Sequence, residues 1–556
     1  MRKKEKERSG SKRRARLAGK VLFGLLLGLL AARAGEEALF WAFPYPRKKL
    51  QRFGASRVVL ARGGEVLRVV PTAAGERLLP VSPGEVSPHL LHALLAGEDG
   101  RFFSHGGVDL PAVLRAGWTD LLRGRIVSGA STLTMQVARI VEPGGPRLWR
   151  KAREVFRARE LERIFSKEKI LEFYLNYVPL GGTLRGFEAA SRYWFGKGAS
   201  ALAPAEAAAL VAMLPAPTRR RPDRNPRLLR FFRDRILDRM RKKGYLGEEE
   251  RRREKASPLG AEVHPWPFLA PHFCDMILRL RRGRVVRTGL DLGVQKKMEA
   301  AVRAFRGPGV DGLALVVLEK GSGEIRAMVG SRDFSRIPLN ACLCGRPAGS
   351  TWKPFLYALA FQEGIAGPDG LLPDTPLRIG NYVPANFDKR FLGAVRAGAA
   401  LACSRNLPAL RLLRVLGVDR FRDFLREVGL RSRGGPLHLD LALGTESVTP
   451  LALARAWVHF CDPASRLSVS WDARKMVLEA LSSGSPDYGL LPPGAAAWKT
   501  GTSSNRRDAW TVGSAGRYVI CVWLGNLDDR ADPGLVGAES AARLFARAAA
   551  ALVKSP

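Results

Sequence analysis

The chain has 556 residues, 46% hydrophobic and 26% charged, which is enough for two or three domains with separate cores. A formal net charge of +39 makes nucleic acid the first partner to test. The basic residues are spread throughout, however, with no zinc-finger spacing and no aromatic RNA-binding signature, so nucleic acid is set aside in favour of an anionic lipid surface or a pyrophosphate-carrying substrate. Six cysteines are too few for a disulfide scaffold at this length and read as buried free thiols, and the lone C-x-C of Cys342 and Cys344 does not make a metal site.

Residues 1–20 carry ten Lys and Arg against two Glu, and Val21 to Ala32 then runs without charge. This pattern predicts a basic cytoplasmic tail and a single-pass membrane anchor over 21–43, with everything after it on the extracytoplasmic side. A cleavable signal peptide ending near Ala31-Ala32 competes with this reading. The long basic region favours an uncleaved anchor, with Phe40, Trp41 and Phe43 as an aromatic interface belt and Arg33, Glu36 and Glu37 at the same interface.

Mixed composition follows, with strand-like Val58 to Leu60 and Val66 to Val70, and then a helical region from Pro88 to about Met240. Glu98-Asp99 ends an apolar helix and precedes Phe102-Phe103 and His105, a setting that can raise one carboxyl's pKa and leave it available as a base. The same pattern also fits a helix C-terminus with solvated acids. Ser128 to Gln136 is a hydroxyl-rich loop leading into a helix, suited to phosphate or sugar oxygens. Arg150-Lys151 and Glu154 open a helix on which Lys151, Glu154, Ala158, Leu161 and Phe165 share one stripe, which suits a cleft wall.

Thr218 to Pro226, Arg241 to Lys255 and Pro258 to Pro271 are rich in charge and proline and read as a domain end followed by a linker. Val285 to Leu290 and Leu313 to Gly330 form a hairpin pattern opening a second domain. In it, Ser350 stands one turn before Lys353 in G-S-T-W-K-P-F, and Pro354 places both at a helix start. A lysine at i+3 can take the serine proton, and helix-terminal N–H groups can stabilise an oxyanion. Ser404-Arg405-Asn406 and Lys499-Thr500-Gly501-Thr502 follow, completing the S-x-x-K, S-x-N, K-T-G order of penicillin-interacting serine acyltransferases.

The run E-D-x-x-F-x-x-H-x-G, S-G-A-S-T-L-T-M-Q, R-K-x-x-E and Lys169 to Asn176 resembles the family 51 peptidoglycan glycosyltransferases. Joined to the three later motifs, it resembles a bifunctional class A penicillin-binding protein. Met135 and the Lys499 to Trp510 run are similar to the C-type branch. The glycosyltransferase motifs argue against the other reading of the serine motifs, a β-lactam-sensing receptor. The resemblance implies a multidomain chain: the N-terminal anchor, a mainly α lysozyme-like glycosyltransferase domain over 44–245, a linker over 246–285, and an α/β transpeptidase domain with an antiparallel sheet over 286–556.

By the same resemblance Glu98 is the base for the acceptor hydroxyl of lipid II and Glu154 the second carboxylate. Arg150 and Lys151 meet the pyrophosphate, and Asp99, Ser131, Thr132, Gln136 and Asn176 bind substrate. Ser350 attacks the D-Ala-D-Ala amide of a stem peptide and Lys353 takes its proton. Ser404 and Asn406 line the pocket, and Lys499, Thr500, Gly501 and Thr502 grip the substrate carboxylate. Penicillin should acylate Ser350, and moenomycin should inhibit polymerisation of the glycan strand. No cofactor is required, and the resemblance leaves open a divalent metal, Mg or Mn, in the glycosyltransferase site. Two departures stand out. C-type members usually carry a further C-terminal β-domain, whereas 538–553 reads as a closing helix here, and the region between Cys461 and Leu491 looks abbreviated. They leave open an alternative in which the penicillin-binding domain binds β-lactams but cross-links weakly or not at all.

Overall fold

The computed structural model describes residues 33–45, 54–123, 131–381, 383–430, 439–484 and 488–553. The expected anchor core, Val21 to Ala32, and the start of the hydroxyl-rich loop before Ser131 lie outside them. The chain divides into two units, Met1–Arg57 with Val70–Trp266, and Val58–Val69 with Pro267–Pro556.

The first unit is helical. Helices α1 (Pro88–Gly97), α2 (Leu110–Arg123), α3 (Leu133–Val141), α4 (Arg147–Ile164), α5 (Lys167–Tyr177), α6 (Pro204–Met213) and α7 (Pro226–Lys242) carry most of it. Their starts follow local chemistry: Ser87, Thr132 and Ser166 cap α1, α3 and α5 by accepting a backbone N–H in the first turn. Helix α6 is apolar apart from Glu206 and buried nearly all round, with α1 and α7 packed against it. On α4 the stripe holds in part: Glu154, Ala158 and Leu161 are buried on a charge-rich helix, while Lys151 is exposed and Phe165 is a half-buried C-cap beyond the last turn.

Residues 33–42 are helical and dock on α4. Phe40 stacks on Phe156 with centroids 5.0 Å apart, the Arg163 guanidinium sits 4.6 Å from the Phe40 ring, and Arg157 Nη1 donates to Phe43 O over 2.8 Å. Glu36 and Glu37 pair with Arg159 and Arg163. Of the expected aromatic belt, therefore, Phe40 packs against protein, while Trp41 and Phe43 stay exposed.

The expected linker, 246–285, is folded. Glu248–Ala256 is a helix, and Arg233, fully buried, donates to Lys255 O and Ser257 O. Glu262 N and His264 N then donate to Trp194 O and Tyr193 O, each over 2.8 Å. Pro271 opens the helix Pro271–Leu280 in the second unit. Proline and charge read as breakers in the sequence, but here proline starts a helix and the charges decorate one.

The second unit holds a five-stranded antiparallel sheet of β1 (Gly312–Glu319), β2 (Ile325–Val329), β3 (Ala496–Thr502), β4 (Asp508–Ala515) and β5 (Tyr518–Gly525), in the order β3-β4-β5-β1-β2. Strand β1 is buried on both faces, and its alternation divides two cores. Leu313, Leu315 and Val317 face the layer of α8 (Leu292–Ala304) and α11 (Ala541–Val553). Ala314, Val316 and Leu318 face α9 (Lys353–Gln362) and α10 (Pro450–Cys461). The hairpin expected to open this unit is β1 and β2. Val285–Arg287 belongs elsewhere: it pairs in parallel with Arg57–Leu60, the middle strand of a separate three-stranded sheet, a register set by residues more than two hundred positions away. Of the six free cysteines four are buried, but Cys403 is exposed, contrary to the expected buried thiols.

Candidate active sites

In the first unit Glu98 is the C-cap of α1. Its Oε2 accepts from Gln136 Nε2 of α3 over 2.8 Å, and Gln136 Oε1 in turn accepts from the Tyr174 hydroxyl of α5 over 2.9 Å. Three helices thereby fix one carboxylate. Burial pushes the Glu98 carboxyl pKa up. The Gln136 hydrogen bond and the Arg239 and Arg220 cations pull it back only in part.

Glu154 is treated in the opposite way. It is buried, yet Arg139 grips it through a fork of 2.6 and 3.0 Å, with Lys151 at 3.4 Å and Arg150 at 3.8 Å. Burial alone would raise its pKa, but Arg139 and Lys151 outweigh that and hold it low. Lys151 Nζ also donates to Ser131 Oγ over 2.6 Å. The two carboxyls are thus tuned apart, one towards accepting a proton and one towards staying ionised among cations.

In the second unit Ser350 lies in the tight turn Gly349–Trp352, which feeds into α9 at Lys353. Gly349 has φ +58 and packs against the Thr502 backbone, and a Cβ on Gly501 would lie 2.7 Å from Ala348 O and 3.4 Å from Ser350 N. The glycine of K-T-G is therefore what lets β3 approach the serine turn. Lys353 is fully buried, and its Nζ donates to Ser404 O (2.7 Å), Arg405 O (3.0 Å) and Asn406 Oδ1 (2.7 Å). Burial, with the nearby Lys499 and Arg405 charges, pushes its pKa well below the usual lysine range. Lys499 Nζ donates to Ser404 Oγ over 2.8 Å, and burial brings its pKa down to about 7.

Two clefts meet at Ser350. One, of about 500 Å³, is lined by Ser404, Lys499, Thr500 and Gly501. The other, of about 980 Å³, runs past Asp440, Arg506 and Arg507. Asn406, Phe387 and Thr502 border both.

Residues 64–241 match the Transglycosylase family, and residues 313–459 match the Penicillin binding protein transpeptidase domain. Penicillin-binding protein 1C of Escherichia coli is 37% identical over 93% of this chain and 70% of its own length. Penicillin-binding protein 1F of Bacillus subtilis is 30% identical over 86% of this chain and 74% of its own. This chain belongs to the class A penicillin-binding proteins. The crystal structure of penicillin-binding protein 1A from Haemophilus influenzae shares the fold, with TM-score 0.55 at 18% identity, over 90% of this chain and 92% of that one.

Three of the residues expected to bind substrate are buried and hydrogen-bonded within the protein. Asp99 is buried, with His105 Nε2 3.1 Å from both of its oxygens and Leu133 N donating to it over 3.0 Å, so it anchors the start of α3. Thr132 is spent on capping α3 and on donating to Gly107 O over 2.6 Å. Asn176 donates to Val81 O and Glu172 O and accepts from Val81 N, fastening an extended segment. All three short polar side chains lie in motifs beside chemistry, which is why the sequence placed them on substrate. Arg139, Tyr174, Arg220 and Arg239 were not expected there. Tyr174 lay within a quoted motif, but its partner is 38 positions away. Arg405 points away from both clefts, so it does not obstruct the serine.

The carboxylates do not suit the divalent metal left open above. Glu154 is ringed by cations, and Glu98 is held by an amide. Among the described residues no group of three or more His, Cys, Asp or Glu side chains is placed to hold a metal ion.

Proposed function

We propose that this bifunctional peptidoglycan glycosyltransferase and transpeptidase works through the residues as follows. Glu98, ionised, takes the proton from the acceptor hydroxyl of lipid II as that oxygen bonds to the sugar carbon of the growing strand, and undecaprenyl pyrophosphate leaves. The cations around Glu154 receive the leaving charge. Glu154 acts as their organiser and not as a proton donor, since a carboxyl held low has no proton to give at neutral pH. The observation that carries this reading is the Tyr174, Gln136, Glu98 chain beside a separate, cation-bound Glu154.

In the transpeptidase, Lys353 in its neutral form releases one of its three acceptors and turns its lone pair to Ser350, whose oxygen attacks the penultimate D-Ala carbonyl. D-Ala departs, and an amine from a neighbouring stem peptide displaces the acyl group. Lys499, Thr500 and Thr502 meet the terminal carboxylate, and Ser404 carries a proton between Lys499 and the leaving amine. Penicillin follows the same path and stops at the acyl-enzyme. Processive polymerisation of lipid II by the purified protein, abolished by moenomycin, with separate labelling by fluorescent penicillin, tests the assignment. Failure of either arm removes that half.

The site calls for a membrane, because lipid II is confined to one. We place the chain on the outer face of the inner membrane by an uncleaved N-terminal segment. Supporting this are the exposed Trp41 and Phe43 after the apolar segment, and Leu110, Val113, Leu114 and Trp118 forming one exposed stripe of α2, with Leu148 and Trp149 exposed on α4. No helix among the described residues is long and apolar enough to cross a membrane. N-terminal sequencing of membrane-extracted protein that begins before Val21 supports the anchor. A start near Ala34 makes it a signal peptide.

A further inference from the structure

The middle residue of S-x-N faces away from the substrate, yet it is one of the most heavily bonded side chains in the unit. Arg405 is buried, with Nε donating to Asp374 Oδ2 over 2.9 Å, Nη1 to Asp388 Oδ2 over 2.8 Å and Nη2 to Arg390 O. Asp374, also fully buried, accepts in addition from Asn386 Nδ2 (2.7 Å) and Leu392 N (3.1 Å). Asn386 Oδ1 closes the ring by accepting from Asn406 N over 2.8 Å. The backbone between these ties is bent: Ser404 has φ +57, a left-handed conformation that is unfavourable for a residue with a Cβ.

That bend is what points Ser404 O and Arg405 O, together with Asn406 Oδ1, at the buried Lys353 Nζ, and what points Ser404 Oγ at Lys499. We propose that Arg405 is a positioning residue of the transpeptidase: with Asp374, Asp388 and Asn386 it holds the 404–406 turn in the conformation that orients both active-site lysines. A bidentate guanidinium suits this task because it fixes direction as well as charge, whereas a lysine supplies only a point charge. The inference rests on the serine acyl-enzyme reading above.

The test is the second-order rate of acylation by fluorescent penicillin across neutral pH, with thermal unfolding and lipid II polymerisation measured on the same full-length proteins. Arg405→Ala and Arg405→Lys should both slow acylation, the alanine by about 10²-fold, the loss typical of a misplaced reacting group. Polymerisation should be unaffected. The charges facing Lys353 are Lys499 on β3 and Arg405 on the turn. Both disfavour its protonated form, so Arg405→Ala should move the acid limb of acylation to higher pH, while Arg405→Lys, which keeps the charge, should slow the rate with the limb in place. Acylation of Arg405→Ala within about twofold of wild type would overturn the proposal. So would slowing that only tracks loss of folded protein with the limb unmoved. If Arg405→Ala does not fold, Asp388→Asn decides: its side chain is half exposed and its loss leaves the Asp374 pair intact, so slower acylation supports the clamp and an unchanged rate overturns it. Labelling of Ser350→Ala, or none of wild type, would instead refute the acyl-enzyme reading.

Discussion

Gln136 Nε2 donates to Glu98 Oε2 over 2.8 Å, and because an ionised carboxylate only accepts, this contact fixes the amide's orientation and leaves its carbonyl to the Tyr174 hydroxyl. The amide stabilises the ionised carboxylate and opposes the burial that raises the Glu98 pKa. Since Glu98 must be ionised to act, polymerisation falls as pH drops through its raised pKa. Gln136→Leu removes the opposing hydrogen bond, so the acid limb of the polymerisation rate should shift to higher pH. An unmoved limb would mean that the amide does not tune the base.

Arg139 should matter as much as the motif cations. It makes the closest contacts to the buried Glu154, and without it a carboxylate stays enclosed with only Lys151 and Arg150 beside it. Arg139→Ala should lower polymerisation by about 10²-fold, in the range for a lost electrostatic contact. It should also destabilise the domain by about 1–3 kcal/mol, discounted because the arginine is half exposed. Because Glu154 is held low, the stability it contributes is present above the ordinary glutamate pKa and is lost as pH falls through the folded value. The variant should therefore show a flatter acid dependence of melting temperature.

Lys499, with its pKa lowered to about 7, gives acylation a basic limb. In the proposed mechanism its protonated form binds the carboxylate of penicillin, so binding should weaken as pH rises through about 7, while Lys353 needs pH above its own depressed value to act as base. The acylation rate should be bell-shaped. Ser404→Ala removes the Lys499 contact and should cost about 10²-fold to 10⁴-fold, the range for a lost acid–base contribution, without abolishing labelling.

Gly501→Ala tests the approach of strand and turn. The added Cβ would meet Ala348 O at 2.7 Å and Thr351 Cγ2 at 2.9 Å, neither of which can yield without moving Ser350. Labelling should be lost and the transpeptidase should melt earlier, while polymerisation continues. Normal labelling would show that the turn has slack.

Much of this was legible in the sequence where a residue acts through its near neighbours. The Ser350 to Lys353 spacing, the hairpin of β1 and β2 and the buried part of the α4 stripe all follow from local pattern. What was not legible depends on distant chain. Nothing near Arg405 announces Asp374 and Asp388 as its partners, and the parallel pairing of Val285 with Val58 cannot be read from either strand. The internal partners of polar motif residues were hidden for a related reason: Asp99, Thr132 and Asn176 hydrogen-bond to backbone groups far along the chain, which short sequence patterns do not reveal.

The central claim is that two independent sites on one chain perform the two reactions, with Glu98 the base of the first. Glu98→Gln keeps the shape of the side chain and removes its basicity, so in one preparation lipid II polymerisation should fall to background while fluorescent penicillin still labels Ser350 at the wild-type rate. Near-normal polymerisation by Glu98→Gln, or loss of labelling together with polymerisation, would contradict the account.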